Sequence, residues 1–324
     1  NYDDEVFEPL IKIRWRNLLL TLAGLMILAF IIQRAARNIS KLQQANLERE
    51  HIDSELNIAR KIQMEMLPKG DEIALRDDCY VVGSLDPAKM VGGDLYDHFI
   101  RDEKLYFCIG DVSGKGVPAA LVMAVMHTLF RSISAHESNP ARIMHALNET
   151  SCQRNEQNMF VTMFIGVLDL PTGRLRYCNA GHDKPFVISE EIKQLPAKPH
   201  LPLSVMDNMV YTTQETVLQS GESLFLYTDG LTEAMNESHE QFGLKRVEKG
   251  LQDCISKESN VSEKLIQTMK NRVNGFVDGA EQSDDLTLLV LQYTPQEKPI
   301  IFSETLTLIN KVSEITKLNA FVKS

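Results

Sequence analysis

IGDVSGKGVPAAL, residues 109–121, is the stretch that decides the fold of this chain. Its glycines and lysine suggest a phosphate-binding loop, but a P-loop has four residues between its first glycine and a Gly-Lys-Ser/Thr triplet. Here only three residues separate Gly110 from Gly114, and Gly116 stands where the hydroxyl residue belongs. The stretch is therefore not a P-loop. What remains is Asp111, placed where an apolar strand runs into a glycine-rich turn.

Carboxylates occur at four such strand ends. Each one alone is more typical of a turn, because aspartate tolerates turn geometry and bonds its own backbone. Four of them together could converge at one edge of a core, where they would repel one another unless cations neutralised them. Oxygen-only ligation of this kind suits Mg²⁺ or Mn²⁺. The aspartates are Asp94 and Asp97 in VGGDLYD, Asp111, Asp229 in LYTDG, and Asp284 and Asp285 before LTLLVL.

Short apolar runs bounded by turn residues dominate the chain beyond Pro68 and predict strands. Helical blocks lie between them, one beginning at Pro118, a second at Pro140, and a pair at 243–255 and 261–277. Runs of strands with helices grouped between them indicate a layered α+β fold. The block at Pro118 is apolar nearly all round, so we expect it to be covered on several faces.

Five motifs, in this order, carry a family resemblance: VGGDLYD, GDVSGKGVPAAL, NAGHDKPF, LYTDGLTEA and DDLTLLVL. Together they resemble the SpoIIE/RsbU branch of the metal-dependent PPM serine/threonine phosphatases. The resemblance implies a PPM-type β-sandwich flanked by helices, in α-β-β-α layers, over residues 69–294. It also implies two Mn²⁺ or Mg²⁺ ions at one end of the sandwich. Such a pair of ions lowers the pKa of a bridging water and neutralises phosphoryl oxygens, so no protein nucleophile is required.

The resemblance assigns the metal ligands residue by residue. Asp111 is implied to bridge both ions, and the backbone carbonyl of Val112 to complete one coordination sphere. Asp94 is implied to serve that second ion, partly through water. Asp229 and Asp284 are implied to hold the first ion.

Several other positions, within the motifs or beside them, have roles that the resemblance does not fix. Asp285 either shares the ligand role of Asp284 or acts as a structural support, and Asp97 is a ligand of a third ion or a neighbour of the true ligands. Lys89 stands where the wider family has a phosphate-binding arginine; the alternative is a solvated loop lysine. Ser113 stands where eukaryotic members carry a histidine proposed as general acid, and serine cannot replace it. His182 is predicted to be a turn or packing residue.

Composition limits the class of partner and the compartment. The chain has 324 residues, with 34 basic and 44 acidic side chains and a formal charge of −10, which argues against nucleic acid. Its five cysteines include no CxxC pair, so neither a disulfide framework nor a zinc cluster is indicated. We therefore predict a reduced, cytoplasmic phosphatase domain.

An uncharged apolar run near the N-terminus predicts a membrane span at 17–33, after the end of an upstream region at 1–16. The run is slightly shorter than the ~20 residues of a comfortable span, but Trp15, Arg14 and Arg34 are suitable interface anchors. The alternatives are a buried core helix and the remnant of a signal peptide. The prediction is a single-pass protein of the cell membrane.

Residues 34–68 predict one helix, because they are rich in helix formers and contain neither glycine nor proline before Pro68. Alternating steps of three and four from Leu42 to Met66 indicate a coiled-coil seam and hence a homodimer through this linker. The alternative is a single amphipathic helix lying on the following domain. Residues 295–324 are a polar linker followed by either the start of an anti-sigma-type ATPase domain or a C-terminal strand and helix.

The leading functional hypothesis is a membrane-tethered protein phosphatase. Relatives of the kind that the motifs resemble act on phosphorylated anti-anti-sigma (STAS) proteins, so the implied substrate is a small phosphoserine protein of a partner-switching pathway. The alternative hypothesis is a catalytically weak signalling scaffold that binds partners without turnover. The intact set of aspartates favours the enzyme.

Overall fold

The computed structural model describes residues 2–68, 76–153, 155–198, 200–255 and 261–295, with side chains described from residue 12 and, after the last gap, from residue 264. The predicted tail therefore lies almost wholly outside the described residues. The body within them is a sandwich of two antiparallel sheets, each with five strands.

The first sheet has the strand order β1-β10-β9-β6-β7, and the second has the order β2-β3-β4-β5-β8. The strands of the first sheet are β1 Cys79–Asp86, β6 Phe186–Ile188, β7 Ile192–Gln194, β9 Ser223–Tyr227 and β10 Leu286–Tyr293. The strands of the second sheet are β2 Leu95–Arg101, β3 Lys104–Val112, β4 Val161–Asp169, β5 Arg174–Ala180 and β8 Gln214–Val217.

Helices cover the outer face of each sheet, which confirms the predicted α-β-β-α layers. The helices are α1 Tyr2–Met66, α2 Val117–Ser134, α3 Pro140–Cys152, α4 Asp229–Thr232, α5 Gly243–Ile255 and α6 Val261–Val277. Helices α2 and α3 pack on the second sheet, and α5 and α6 pack on the first.

The central strands β9 and β10 of the first sheet are buried on both faces, which explains why they read as continuous apolar runs. In β9, Leu224 and Leu226 join the core between the sheets, while Phe225 and Tyr227 join the core beneath α5 and α6. Because successive side chains of a strand point to opposite faces of the sheet, one apolar run contributes to two hydrophobic cores.

Helix α2 is buried along its inner side and exposed along its outer side. Its inner residues Met123, Met126 and Phe130 are fully buried, but Leu121 is 64% exposed and Val125 is 56% exposed. The strands of the second sheet and α3 cover several faces of α2, as expected, but one face of this apolar helix stays exposed.

Helix α1 continues without a break through the predicted boundary between membrane span and linker, and ends at Met66. Its apolar N-terminal window is wholly exposed, and by length and hydropathy it is long and apolar enough to cross a membrane. Helix α2 passes the same test, but it packs on the second sheet. Among the side chains described for α1, burial is confined to its end, where Gln63 and the following Leu67 lie against the body.

Candidate metal centre

Asp94 and Asp111 are neighbours at one end of the second sheet. Asp111 is the penultimate residue of β3, and Asp94 immediately precedes β2. Because β2 and β3 are antiparallel and pair Leu95 with Gly110, the two aspartates come side by side. Their carboxyl groups are close enough for the charge of Asp111 to raise the pKa of Asp94.

Asp229 and Asp284 have the same relationship at the end of the first sheet. Asp229 follows β9, Asp284 precedes β10, and these antiparallel strands pair Tyr227 with Leu288. Gly230 permits the close approach of the two loops, since a Cβ atom there would lie 2.0 Å from the carbonyl oxygen of Asp285. Each sheet thus supplies two carboxylates, one at the end of a strand and one just before the start of the strand paired with it.

Asp285 joins the two sheets at this end of the sandwich. Its Oδ1 accepts a hydrogen bond from the N–H of Ala88 at 2.8 Å, and its Oδ2 accepts one from the N–H of Gly93 at 2.6 Å. Both oxygens are therefore bonded to the loop that carries Asp94. This arrangement favours the interpretation of Asp285 as a structural support.

Two threonines of the first sheet bond to Asp94. Thr228 donates to Asp94 Oδ2 at 2.8 Å, and Thr287 donates to the same oxygen at 2.5 Å. Asp94 is 1% exposed, and the carbonyl oxygen of Val112 lies 2.9 Å from the position of a Cβ at Gly93. The backbone just before Asp94 therefore lies close to the Val112 carbonyl.

The cluster is electrostatically unfavourable without a cation. Burial and the charge of Asp111 raise the pKa of Asp94 well above its usual range. Burial, together with Asp229 and Asp284, raises the pKa of Asp111 to about 7. Burial and Asp284 also raise the pKa of Asp229. Each shift means that the ionised carboxylates need compensating positive charge.

Lys115 supplies part of that charge. Its Nζ lies 2.8 Å from Asp284 Oδ2 and donates to the carbonyl oxygen of Ser283. In the part of the chain that the structure describes, no three carboxylate, imidazole or thiolate groups are already close enough to hold one ion. The donor chemistry nevertheless fits hard divalent cations, because it consists of carboxylate oxygens from four converging strand ends.

The remaining motif residues have other surroundings. Arg131 donates to both carboxylate oxygens of Asp97, which is fully buried, so the geometry favours a structural role over a third-ion ligand. Ser113 Oγ accepts a hydrogen bond from the N–H of Phe160 at 2.9 Å. The Lys89 side chain passes beside the start of α2, with its Cδ 4.0 Å from the position of a Cβ at Gly116.

His182 is buried beside the site, as expected of a packing residue. Its Nδ1 lies 3.0 Å from Thr162 Oγ1, and Thr162 pairs with Asp111 across β3 and β4. Burial lowers the pKa of His182 to about 4, so the ring is neutral at physiological pH.

Asp183 is a residue that the sequence analysis missed. Burial, together with Asp229 and Glu233, raises its pKa to about 6, which places it at the edge of the carboxylate cluster. It belongs to the motif NAGHDKPF, but no apolar strand directly precedes it. A search for aspartates at strand ends therefore does not find it.

Comparison with protein families identifies the body. The model of the family "Stage II sporulation protein E (SpoIIE)" matches residues 101–294. Over 268 residues the chain is 31% identical to Protein IcfG of Synechocystis. The aligned region covers 73% of this chain and 41% of IcfG. Over 254 residues it is 28% identical to the phosphoserine phosphatase RsbU of Bacillus subtilis, covering 75% and 71% of the two chains. The chain thus spans less than half the length of IcfG.

Solved structures show the same fold. The SiaA-PP2C domain of Pseudomonas aeruginosa superposes with a TM-score of 0.67 at 21% identity, over 76% of this chain and 98% of that domain. RsbX in complex with magnesium superposes with a TM-score of 0.51 at 17% identity, over 68% and 97%. These findings and the family match, which contains Asp111, Asp229 and Asp284, lead to one conclusion. The chain belongs to the SpoIIE family, and its body is a serine/threonine phosphatase domain with the PP2C fold.

Proposed function

We propose that this chain is a membrane-tethered serine/threonine phosphatase that hydrolyses phosphoserine or phosphothreonine on a signalling protein, with two Mn²⁺ or Mg²⁺ ions. The observation that carries the proposal is the convergence of Asp94 and Asp111 from one sheet with Asp229 and Asp284 from the other. A signalling scaffold has no need to bring these mutually repelling carboxylates together.

In this proposal Asp111 would be a ligand of both ions, Asp94 and the Val112 carbonyl would hold one of them, and Asp229 and Asp284 would hold the other. Asp285 holds the loop that carries Asp94 in place, because backbone N–H groups of that loop bond to both of its oxygens. When bound, the two ions supply positive charge for the phosphoryl oxygens and acidify the attacking water. The magnesium in the structurally similar RsbX supports a hard divalent cation here.

Other groups of the chain bind and orient the phosphoryl group. We assign Lys89 to this role, because its side chain lies beside the start of α2, where a helix N-terminus favours anions. Lysine supplies charge without the bidentate geometry of arginine, so its contact is less directional. Ser113 is bonded to Phe160, and we assign protonation of the leaving alkoxide to water.

The proposed substrate is a phosphorylated anti-anti-sigma protein of the STAS class, and the support is the similarity to the phosphoserine phosphatase RsbU.

The proposed location is the cell membrane, crossed once at 17–33, with the phosphatase domain in the cytoplasm. The exposed apolar window of α1 supports this location. Leu42 and Ile52 of the predicted seam are 65% and 55% exposed, as expected of residues that a second copy covers in a homodimer.

The test is hydrolysis of a phosphoserine protein and of a simple aryl phosphate by the full chain in detergent micelles. We expect activity that requires added Mn²⁺ or Mg²⁺, disappears with a chelator, and falls by orders of magnitude in Asp111→Asn. Full activity without metal, or in that variant, would contradict the mechanism. Absence of activity with every metal would favour the scaffold.

A further inference from the structure

Lys115 forms an ion pair with an oxygen of Asp284 that the proposed metal centre needs as a ligand. The N–H of Asp285 donates to Asp284 Oδ1 at 2.9 Å, so the backbone already bonds to that oxygen. The other oxygen, Oδ2, lies 2.8 Å from Lys115 Nζ. A cation that binds Asp284 and the ammonium of Lys115 therefore meet at the same atom.

We propose that Lys115 and the metal ion compete for Asp284, so that Lys115 sets how tightly the centre binds its ion. This inference rests on the proposed function. The physical reason is that an ammonium and a divalent ion repel each other strongly within a few ångströms in a partly buried site. Metal binding at Asp284 then requires the lysine to move away.

The backbone around Lys115 is built to bring its ammonium to this place. Gly114 has φ 91° and Gly116 has φ 78°, conformations that favour glycine, and Lys115 lies between them. The turn returns the side chain from the end of the second sheet to Ser283 and Asp284 of the first. Lys115 thus bonds across the two halves of the site.

The side chain can also leave. Lys115 is 40% exposed at its side chain and Asp284 is 28% exposed, so the ammonium can move into solvent without being buried elsewhere. Once displaced, it remains tethered beside the carboxylate cluster, four residues along the chain from Asp111.

Lys89 provides a matched control. It is the second lysine at the start of α2, and its side chain runs beside Gly116. Within the described ranges no ion pair links Lys89 to the carboxylates, whereas Lys115 is paired with Asp284. Removing either lysine subtracts one positive charge near the site, but only one removal frees Asp284 Oδ2.

The experiment measures Mn²⁺ binding by calorimetry on the full chain in detergent micelles, without substrate. We expect Lys115→Met to lower the Kd for Mn²⁺ on the order of tenfold, and Lys115→Arg and Lys89→Met to change it by less than about threefold. Equal or weaker binding by Lys115→Met, while Asp111→Asn abolishes binding, would overturn the competition and leave the proposed function intact. Absence of Mn²⁺ binding in the unmodified chain would overturn both.

Thermal unfolding gives a second readout that does not depend on activity. In chelator, Lys115→Met should unfold at a lower temperature than the unmodified chain, because Asp284 loses its counter-charge. Saturating Mn²⁺ should then raise its Tm by more than it raises that of the unmodified chain. An identical metal-induced gain in Tm for the two proteins would contradict the proposal.

Discussion

The side-chain amide of Gln63 makes two hydrogen bonds to a single residue, Gly92. It donates to the Gly92 carbonyl oxygen at 2.7 Å and accepts from the Gly92 N–H at 3.2 Å. Gln63 lies in the last turn of α1 and is 5% exposed, whereas most of that helix is exposed. Gly92 is two residues from Asp94. The end of the long helix is thus bonded directly to the loop that carries a proposed metal ligand.

Replacing Gln63 with leucine should weaken metal binding. The substitution leaves a buried N–H and a buried carbonyl of Gly92 without partners, at a cost of about 1–3 kcal/mol. We expect the loop to shift, the Kd for Mn²⁺ to rise several-fold, and kcat to fall more than the KM for an aryl phosphate changes. Calorimetry and steady-state kinetics measure these quantities.

Gln44→Leu is the matched control for this prediction. Gln44 is an exposed glutamine of the same helix, and its described side-chain hydrogen bond is to Glu48, one turn away. Its replacement should leave the metal Kd and kcat unchanged. Equal effects of the two substitutions would show that the helix responds to glutamine loss in general and that the bond to Gly92 has no special role.

Gly230→Ala should abolish the metal centre. A Cβ atom at this position would lie 2.0 Å from the carbonyl oxygen of Asp285, and backbone cannot yield as a flexible side chain can. We expect a loss of at least about 2 kcal/mol in the free energy of unfolding, by analogy with overpacked cores, together with loss of Mn²⁺ binding.

The control for Gly230 is Gly275→Ala in α6, where no heavy atom lies within 4 Å of the added Cβ. Alanine is the better helix former by about 1 kcal/mol, so this variant should be as stable as the unmodified chain or more so. Chemical denaturation of both variants gives the comparison. A stable, metal-binding Gly230→Ala would contradict the packing described for the two strand-end loops.

The sequence predicts the fold and the four central aspartates because their signals are local. A strand, a carboxylate and a glycine turn are neighbours in the chain, and the antiparallel pairing of β2 with β3 and of β9 with β10 brings these strand ends together. The order of five motifs then selects one fold among the layered α+β arrangements.

Tertiary contacts explain what the sequence leaves open. The partners of Asp285 lie about two hundred residues earlier in the chain, at Ala88 and Gly93, and no local pattern distinguishes a support from a ligand. Gln63 lies on the alternating steps of three and four that predict the coiled-coil seam, yet it faces the body. The exposed face of α2 is likewise invisible in an apolar sequence, because composition does not say how many neighbours a helix has.

The two interpretations of Asp285 can be separated by comparing Asp285→Asn with Asp284→Asn. If Asp285 supports the loop, its substitution should lower stability by about 1–3 kcal/mol, because an amide nitrogen cannot accept the bond from Ala88 or Gly93. The Asp285→Asn variant should still bind Mn²⁺ when the ion is saturating. Asp284→Asn should instead weaken Mn²⁺ binding with little loss of stability. Equal losses of metal affinity in the two variants would favour a shared ligand role.

Metal binding should depend on pH through Asp111. Its pKa is raised to about 7 by burial and by Asp229 and Asp284, so in the metal-free protein the native state keeps a proton that the unfolded chain releases at a much lower pH. The stabilisation from this proton is fully present below the unfolded pKa and is lost as pH rises through about 7. A divalent ion must displace the same proton, so its apparent affinity should rise up to that pH and then level off.

Two measurements check this sign between about pH 5 and 8. Calorimetric titrations with Mn²⁺ should show binding that strengthens with pH and releases protons, and melting in chelator should show a Tm that falls over the same range. In Asp111→Asn the Tm measured in chelator should depend much less on pH, because the amide does not titrate. A metal affinity that is flat across this range in the unmodified chain would mean that Asp111 is already ionised in the metal-free protein, and that the charge of Lys115 suffices to keep it so.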